Sequence, residues 1–226
     1  KMTITQDDST HEALNSKDLG NPGIPAADFK QVNGFEVDYT FLPARDISGD
    51  FFDGFFINDD IYQIIICDVS GHGIASAYIG NEIRTIFRIH SSGCTAIEDT
   101  VYYVNSILVK ELGSLYYYCT AIICRINIRT GLITYLNAGH PPAIIHNTQS
   151  GVSSVINSLG SLIGLFEDNE YSSVDLVLNG SDYLLLYTDG ITEATEFERI
   201  SEKGMFGTER IIETFSTNSW ITSKDI

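Results

Sequence analysis

The chain has 226 residues, 43% of them hydrophobic, and a formal net charge of −17 at pH 7. That much apolar material builds one sizeable core, so a single soluble domain is expected. No apolar run approaches the ~20 residues of a bilayer-spanning helix, the acidic opening Lys1 to Asp18 lacks a secretory pattern, and so strong a negative charge repels nucleic-acid phosphates and anionic lipid. A cytoplasmic segment is expected, with no nucleic-acid partner and no direct membrane contact, within a parent protein that is free to carry an anchor elsewhere.

Residues 1–34 are poor in apolar residues and contain Gly20, Pro22, Gly23 and Pro25. This reads as a linker or leader to an upstream sensor or dimerisation region, with the domain running over 35–226. From Phe35 to Phe41 apolar and polar residues alternate as in a half-buried strand. Phe51 to Ile57 and Ile61 to Cys67 are aromatic and β-branched runs around Asn58-Asp59-Asp60, the pattern of a hairpin. Ile74 to Ser91 and Thr95 to Leu112 carry apolar residues at helical spacing and are separated by Ser91-Ser92-Gly93.

Strands then resume. Tyr116 to Ile128 and Leu132 to Asn137 flank Arg129-Thr130-Gly131 as a second hairpin, and Ala143 to His146 is expected as the third strand of that meander. Val174 to Leu178 and Tyr183 to Thr188 flank Asn179-Gly180-Ser181-Asp182 and read as another hairpin, with a short helix after Gly207. Hairpins around one helix pair indicate an α+β layered domain with antiparallel sheets, not the strand-helix alternation of a parallel doubly wound sheet.

The placement of the aspartates carries the chemistry. Folding the first hairpin about Asp59 sets Asp50 opposite Asp68 or Val69, where Cβ atoms lie only ~4.5–5.5 Å apart. Like charges so close need compensation, and a hard divalent cation supplies it through carboxylate, carbonyl and water oxygens. Asp68 enters the glycine-rich turn Val69-Ser70-Gly71-His72-Gly73, and Tyr187-Thr188-Asp189-Gly190, followed by Glu193, repeats the layout. Taken singly, each Asp-Gly is equally an ordinary turn; three aspartates at the ends of central strands favour a shared cation. The four cysteines, at 67, 94, 119 and 124, lack metal-type spacing and read as reduced, buried hydrophobes.

Leu42-Pro43-Ala44-Arg45 with Ser48-Gly49-Asp50-Phe51-Phe52-Asp53, then Asp68-Val69-Ser70-Gly71-His72-Gly73, Asn137-Ala138-Gly139-His140-Pro141-Pro142, and Leu185-Leu186-Tyr187-Thr188-Asp189-Gly190-Ile191-Thr192-Glu193 resemble, in order, the motifs of the SpoIIE/RsbU family. Phe206-Gly207 fits a later landmark. That family belongs to the PPM superfamily, which includes the type 2C protein serine/threonine phosphatases. The resemblance implies a β-sandwich flanked by helices, a site for two Mn²⁺ or Mg²⁺ ions, and hydrolysis of phosphoserine or phosphothreonine by metal-activated water. It implies as substrate a phosphorylated STAS-type anti-anti-sigma factor, and hence a part in sigma-factor regulation.

By the same resemblance Asp50, Asp68 and the Val69 backbone carbonyl match metal ligands, Asp189 matches the ligand of the second ion, and Arg45 stands where type 2C enzymes place a phosphate-binding arginine. His72 has two open roles, general acid for the leaving alkoxide or cap of the glycine turn. Asp53, three along a strand from Asp50, faces the other way and reads as structural, and His140 as packed against Pro141-Pro142. An aspartate-nucleophile phosphohydrolase would want Asp-x-Asp at a strand end and a parallel sheet, neither of which is present. The non-enzymatic alternative is a degenerate phosphatase domain that binds or regulates a partner, against which the complete set Asp50, Asp68 and Asp189 speaks. Relatives end on a strand that opens Asp-Asp; here the sequence stops at Ser223-Lys224-Asp225-Ile226. The fold is therefore expected to lack its last strand, leaving backbone groups beside the Asp189 strand unpaired.

Overall fold

Phe51–Phe56 (β3) and Ile61–Val69 (β4) form the expected hairpin, because Asn58 caps its turn: the Asn58 side chain accepts hydrogen bonds from the backbone N–H groups of Asp60 and Ile61, both at 2.9 Å. Cys119–Asn127 (β5), Leu132–Ala138 (β6) and Ser173–Val177 (β9) extend this hairpin into a five-stranded antiparallel sheet of order β3-β4-β5-β6-β9. A second antiparallel sheet has the order β2-β1-β10-β7-β8, from Phe35–Tyr39 (β2), Met2–Gln6 (β1), Asp182–Leu186 (β10), Ala143–Asn147 (β7) and Val152–Ile156 (β8). This computed structural model describes residues 2–6, 34–43, 48–93, 95–113, 117–157, 160–195 and 204–217.

Strand parity decides what each side chain meets, since successive residues point to opposite faces. Ile64, Ile66, Ile122, Cys124 and Ile126 point between the sheets, where they pack against Phe35, Leu184 and Leu186 of the other sheet. Ile65, Cys67, Val69, Ala121 and Ile123 point outward and are covered by the helices Ile74–Ser91 (α1) and Ile97–Leu112 (α2), through Ile79, Ile83, Phe87, Val101, Val104 and Leu108. Ile144, Leu185 and Tyr187 face the opposite way, under Ile211 and Phe215 of Gly207–Thr217 (α4). The result is two sheets face to face with helices outside each, the α+β sandwich expected from the sequence. Among the described residues no helix is long and apolar enough to cross a membrane.

Four expectations need correction. Met2–Gln6, read as part of a linker, is a strand that pairs with both β2 and β10; the rest of that stretch, up to residue 33, lies outside the described residues. The flank of β10 expected to be unpaired is thus taken by β1, while the closing segment 218–226 also lies outside the described residues. Ala143–Asn147 does not extend the β5-β6 meander, and β9 and β10 are not a hairpin: the chain changes sheets at both places. The physical reason at the second crossing is Asp182, whose carboxylate accepts from the Asn147 side chain at 2.7 Å and from the Asn179 N–H at 2.8 Å. The first bond ties the start of β10 to β7, and the second holds the turn that precedes it.

Helix α1 docks through small residues. A Cβ added at Gly80 would lie 2.7 Å from the Gly49 carbonyl oxygen, and one added at Gly49 would lie 3.1 Å from the Ser76 Cβ. Overpacking costs ~1–3 kcal/mol and alanine's helix advantage returns ~1 kcal/mol. Gly80→Ala is therefore expected to lose about 1 kcal/mol, read as a lower Tm, and to weaken Mn²⁺ binding, because the residue pushed aside precedes Asp50. Unchanged Mn²⁺ affinity in a destabilised variant would show that α1 and the acidic site are not coupled through this contact.

Candidate metal centre

Parity also builds the site. Asp50, Asp68 and Thr120 share the parity of Phe52, Ile66 and Ile122, so all three point between the sheets. Asp68 is directly opposite Thr120, and the β3-β4 register, with Phe51 against Cys67, continues to Asp50 against Asp68. The expected opposition of Asp50 and Asp68 is what the hairpin produces. Asp189 arrives from the other sheet: it follows β10 and opens the short helix Asp189–Thr192 (α3). The three carboxylates meet where the sandwich opens at one end, in a cleft of about 980 Å³ whose lining also includes Val69, His72, Thr120 and Thr188.

Burial raises the Asp68 carboxyl to about 8, reinforced by the charges of Asp50 and Asp189, by hydrogen bonding with Asp50, and by Glu193. Burial also raises Asp189, with Glu193 and Asp50 adding to it and the Gly190 N–H opposing. Among the described residues lining the cleft there is no lysine or arginine. Carboxylates crowded to this degree without a cationic side chain, beside a backbone carbonyl and hydroxyls, form an all-oxygen donor set that fits a hard dication. Among the described residues no group of three or more His, Cys, Asp or Glu side chains is placed to hold a metal ion by itself.

The other expected residues separate. His72 is exposed on the rim, in the turn that Gly71 and Gly73 permit with φ of 87° and 88°. Arg45 lies outside the described residues. Asp53 does face away, buried under α1, where it accepts from Arg88 Nε at 2.6 Å and Nη2 at 2.5 Å. Cys67, Cys119 and Cys124 are buried free thiols; burial pushes Cys67 and Cys124 up, which makes poor nucleophiles of them. Cys94 lies outside the described residues. His140, expected merely to pack against prolines, is buried with Nδ1 2.7 Å from Thr120 Oγ1. Thr120 was missed altogether: only the strand register shows that a threonine distant in sequence from Asp68 stands opposite it.

Comparison with known proteins gives concordant results. Residues 58–226 match the family model "Stage II sporulation protein E (SpoIIE)". The "Phosphoserine phosphatase RsbP" of Bacillus subtilis is 36% identical over 168 residues, which cover 71% of this chain and 40% of that protein. "Protein IcfG" of Synechocystis sp. is 29% identical over 210 residues, 81% of this chain and 32% of that protein. The chain thus spans less than half the length of either relative. Among solved structures, the SiaA-PP2C domain of Pseudomonas aeruginosa superposes with a TM-score of 0.64 at 20% identity, covering 77% of this chain and 68% of that one, which speaks for the fold. The family match takes in Asp68, the Asn137 to Pro142 turn and Asp189, on a sandwich that also brings Asp50 to the same cleft, and the chain therefore belongs to the SpoIIE family of PPM-type phosphatase domains.

Proposed function

We propose that this chain hydrolyses phosphoserine or phosphothreonine on a signalling protein, with Mn²⁺ or Mg²⁺ held at the mouth of the sandwich. The observation that supports this most is the convergence of Asp50, Asp68 and Asp189 in one cleft, with burial and mutual repulsion raising Asp68 to about 8. In this reading Asp50, Asp68 and the Val69 carbonyl hold one ion and Asp189 helps hold the second. The ions would supply Lewis acidity toward the phosphoryl group and its attacking water. The chain's own contribution is geometric. Two sheets fix carboxylates from opposite sides, and the Gly71 and Gly73 turn brings backbone close to the ligand. In the same reading His72, exposed on the rim, would give a proton to the departing serine oxygen, and Arg45 would hold the phosphate. The substrate is assigned as a phosphorylated STAS-type anti-anti-sigma factor, in keeping with the phosphoserine phosphatase RsbP among the relatives.

Release of phosphate from an aryl phosphate and from a phosphoserine STAS protein tests the proposal. Turnover should appear with Mn²⁺ or Mg²⁺, vanish with chelator and return on re-addition. A protein that binds Mn²⁺ and the phosphorylated partner without turnover would establish the degenerate, partner-binding reading in its place.

A further inference from the structure

The turn Asn137-Ala138-Gly139-His140 is built more tightly than packing alone requires. The Asn137 side chain clasps its own turn: Oδ1 accepts from the His140 N–H at 2.7 Å and Nδ2 donates to the His140 carbonyl at 2.9 Å. Gly139 takes φ 73°, and a Cβ there would lie 2.8 Å from Leu162 Cδ2. These constraints deliver one side chain, the His140 imidazole, to the Thr120 hydroxyl. Thr120 is half-buried, lines the cleft and contacts Nδ1 of His140.

The ring's surroundings choose its tautomer. Burial keeps it neutral, lowering its pKa to about 4, and the Tyr187 backbone carbonyl opposes that shift. A neutral imidazole has one N–H and one bare nitrogen. Nε2 is buried with no partner of good geometry. Nδ1 is taken up by the Thr120 hydroxyl, so Nε2 is the nitrogen left to carry an N–H toward the polarity of the Tyr187 carbonyl. Nδ1 is then the bare nitrogen, and the Thr120 hydroxyl must donate to it. A hydroxyl whose proton is committed in one direction offers only lone pairs in the other.

We propose that His140 locks Thr120 as a hydrogen-bond acceptor facing the cleft beside Asp68, and that Thr120 there orients a water molecule and repels a phosphoryl oxygen. The selectivity follows from the chemistry: an acceptor among carboxylates binds an oxygen that carries protons. A water carries two, and a fully ionised phosphate monoester carries none. Thr120 is thus a positioning residue for the proposed hydrolysis, and His140 acts through it. The kinetic part of this inference rests on the phosphatase reading; the tautomer does not.

Two measurements decide it. Nitrogen-15 NMR of the metal-free protein, with labelled histidine assigned by His140→Phe, should show the His140 ring protonated at Nε2. Thr120→Val should lower kcat about ten- to a hundredfold, the range for losing an outer hydrogen-bonding partner of a metal site, with smaller changes in KM and Mn²⁺ affinity. Thr120→Ser, which keeps the hydroxyl, should restore most of the rate, and Thr120→Val combined with His140→Phe should be no slower than the slower single variant. A ring protonated at Nδ1, or a Thr120→Val enzyme that turns over at the wild-type rate, would overturn the proposal. A wild-type protein without turnover would overturn the phosphatase reading and the water-orienting role together, while the tautomer would still decide the His140 lock.

Discussion

Asp68→Asn is expected to lower metal-supported phosphate release by a hundredfold or more, while the metal-free protein becomes less sensitive to pH. On the proposed assignment of Asp68, the rate effect follows from removing a charged ligand from a centre of a kind that contributes several kcal/mol to the barrier, at about 1.4 kcal/mol per factor of ten. The stability effect follows from the raised carboxyl. An aspartate that titrates at about 8 in the fold and near ~3.9 when unfolded holds a proton in the native state that the unfolded chain has released. Stability of the metal-free protein therefore falls as pH rises between those values. Below both, the group makes no difference; above both, its full cost is present.

Melting in chelator from pH 5 to 8.5 should show this decline in wild type and a flatter profile in Asp68→Asn. Metal binding must expel the same proton, so Mn²⁺ affinity should rise over the same interval. An asparagine variant within a few-fold of wild-type activity at saturating Mn²⁺ would remove Asp68 from the centre.

Arg88→Met is expected to cost about 3 kcal/mol, the low end of the range for breaking a buried ion pair. The asymmetry of the pair sets this value. The Asp53 side chain is 1% exposed and that of Arg88 is 40% exposed, so losing the arginine strands a carboxylate, whereas the arginine itself can turn to water. Arg88 also lies 4.7 Å over the Phe55 ring, and that packing would be kept in part by methionine. Asp53→Asn combined with Arg88→Met should recover much of the loss, since no buried charge is then unpaired. Chemical denaturation measures both. A single variant that loses under 1 kcal/mol, the value of a surface pair, would show that the carboxylate finds water.

The readable parts of the sequence are those fixed by short-range rules. The Asn58 to Asp60 turn set a single fold-back point, and from it the opposition of Asp50 and Asp68 could be counted. Helix α1 was bounded by Gly73 on one side and Ser92-Gly93 on the other. Asp53 was assigned to the structural face by parity alone. What could not be read depends on which sheet a strand joins. The runs Ala143–Asn147 and Asp182–Leu186 are apolar on both faces, so alternation says nothing of their neighbours, and Asn179 to Asp182 resembles a hairpin turn whether or not the flanking strands pair. Met2–Gln6 was lost for another reason: five alternating residues within an acidic stretch do not stand out until a long-range partner is known. The Thr120–His140 contact has the same character, since it exists only across paired strands.

The position of β1 has a consequence for how the molecule assembles. Pairing of Met2 with Leu186 and of Thr3 with Leu185 is the strand pairing most distant in sequence among the described residues. The β3-β4 hairpin and the α1-α2 pair close over short spans and form early. Closing the longest span costs the most chain entropy and is rewarded only after its neighbours are in place, which puts it late in folding. The strand that β1 supports leads directly to Asp189. Collapse can thus be well advanced, with Asp50 and Asp68 already side by side, before the opposing carboxylate is anchored. The same pairing is the natural first place for the native sheet to open, and amide exchange along β10 would follow its closure more closely than that of β4.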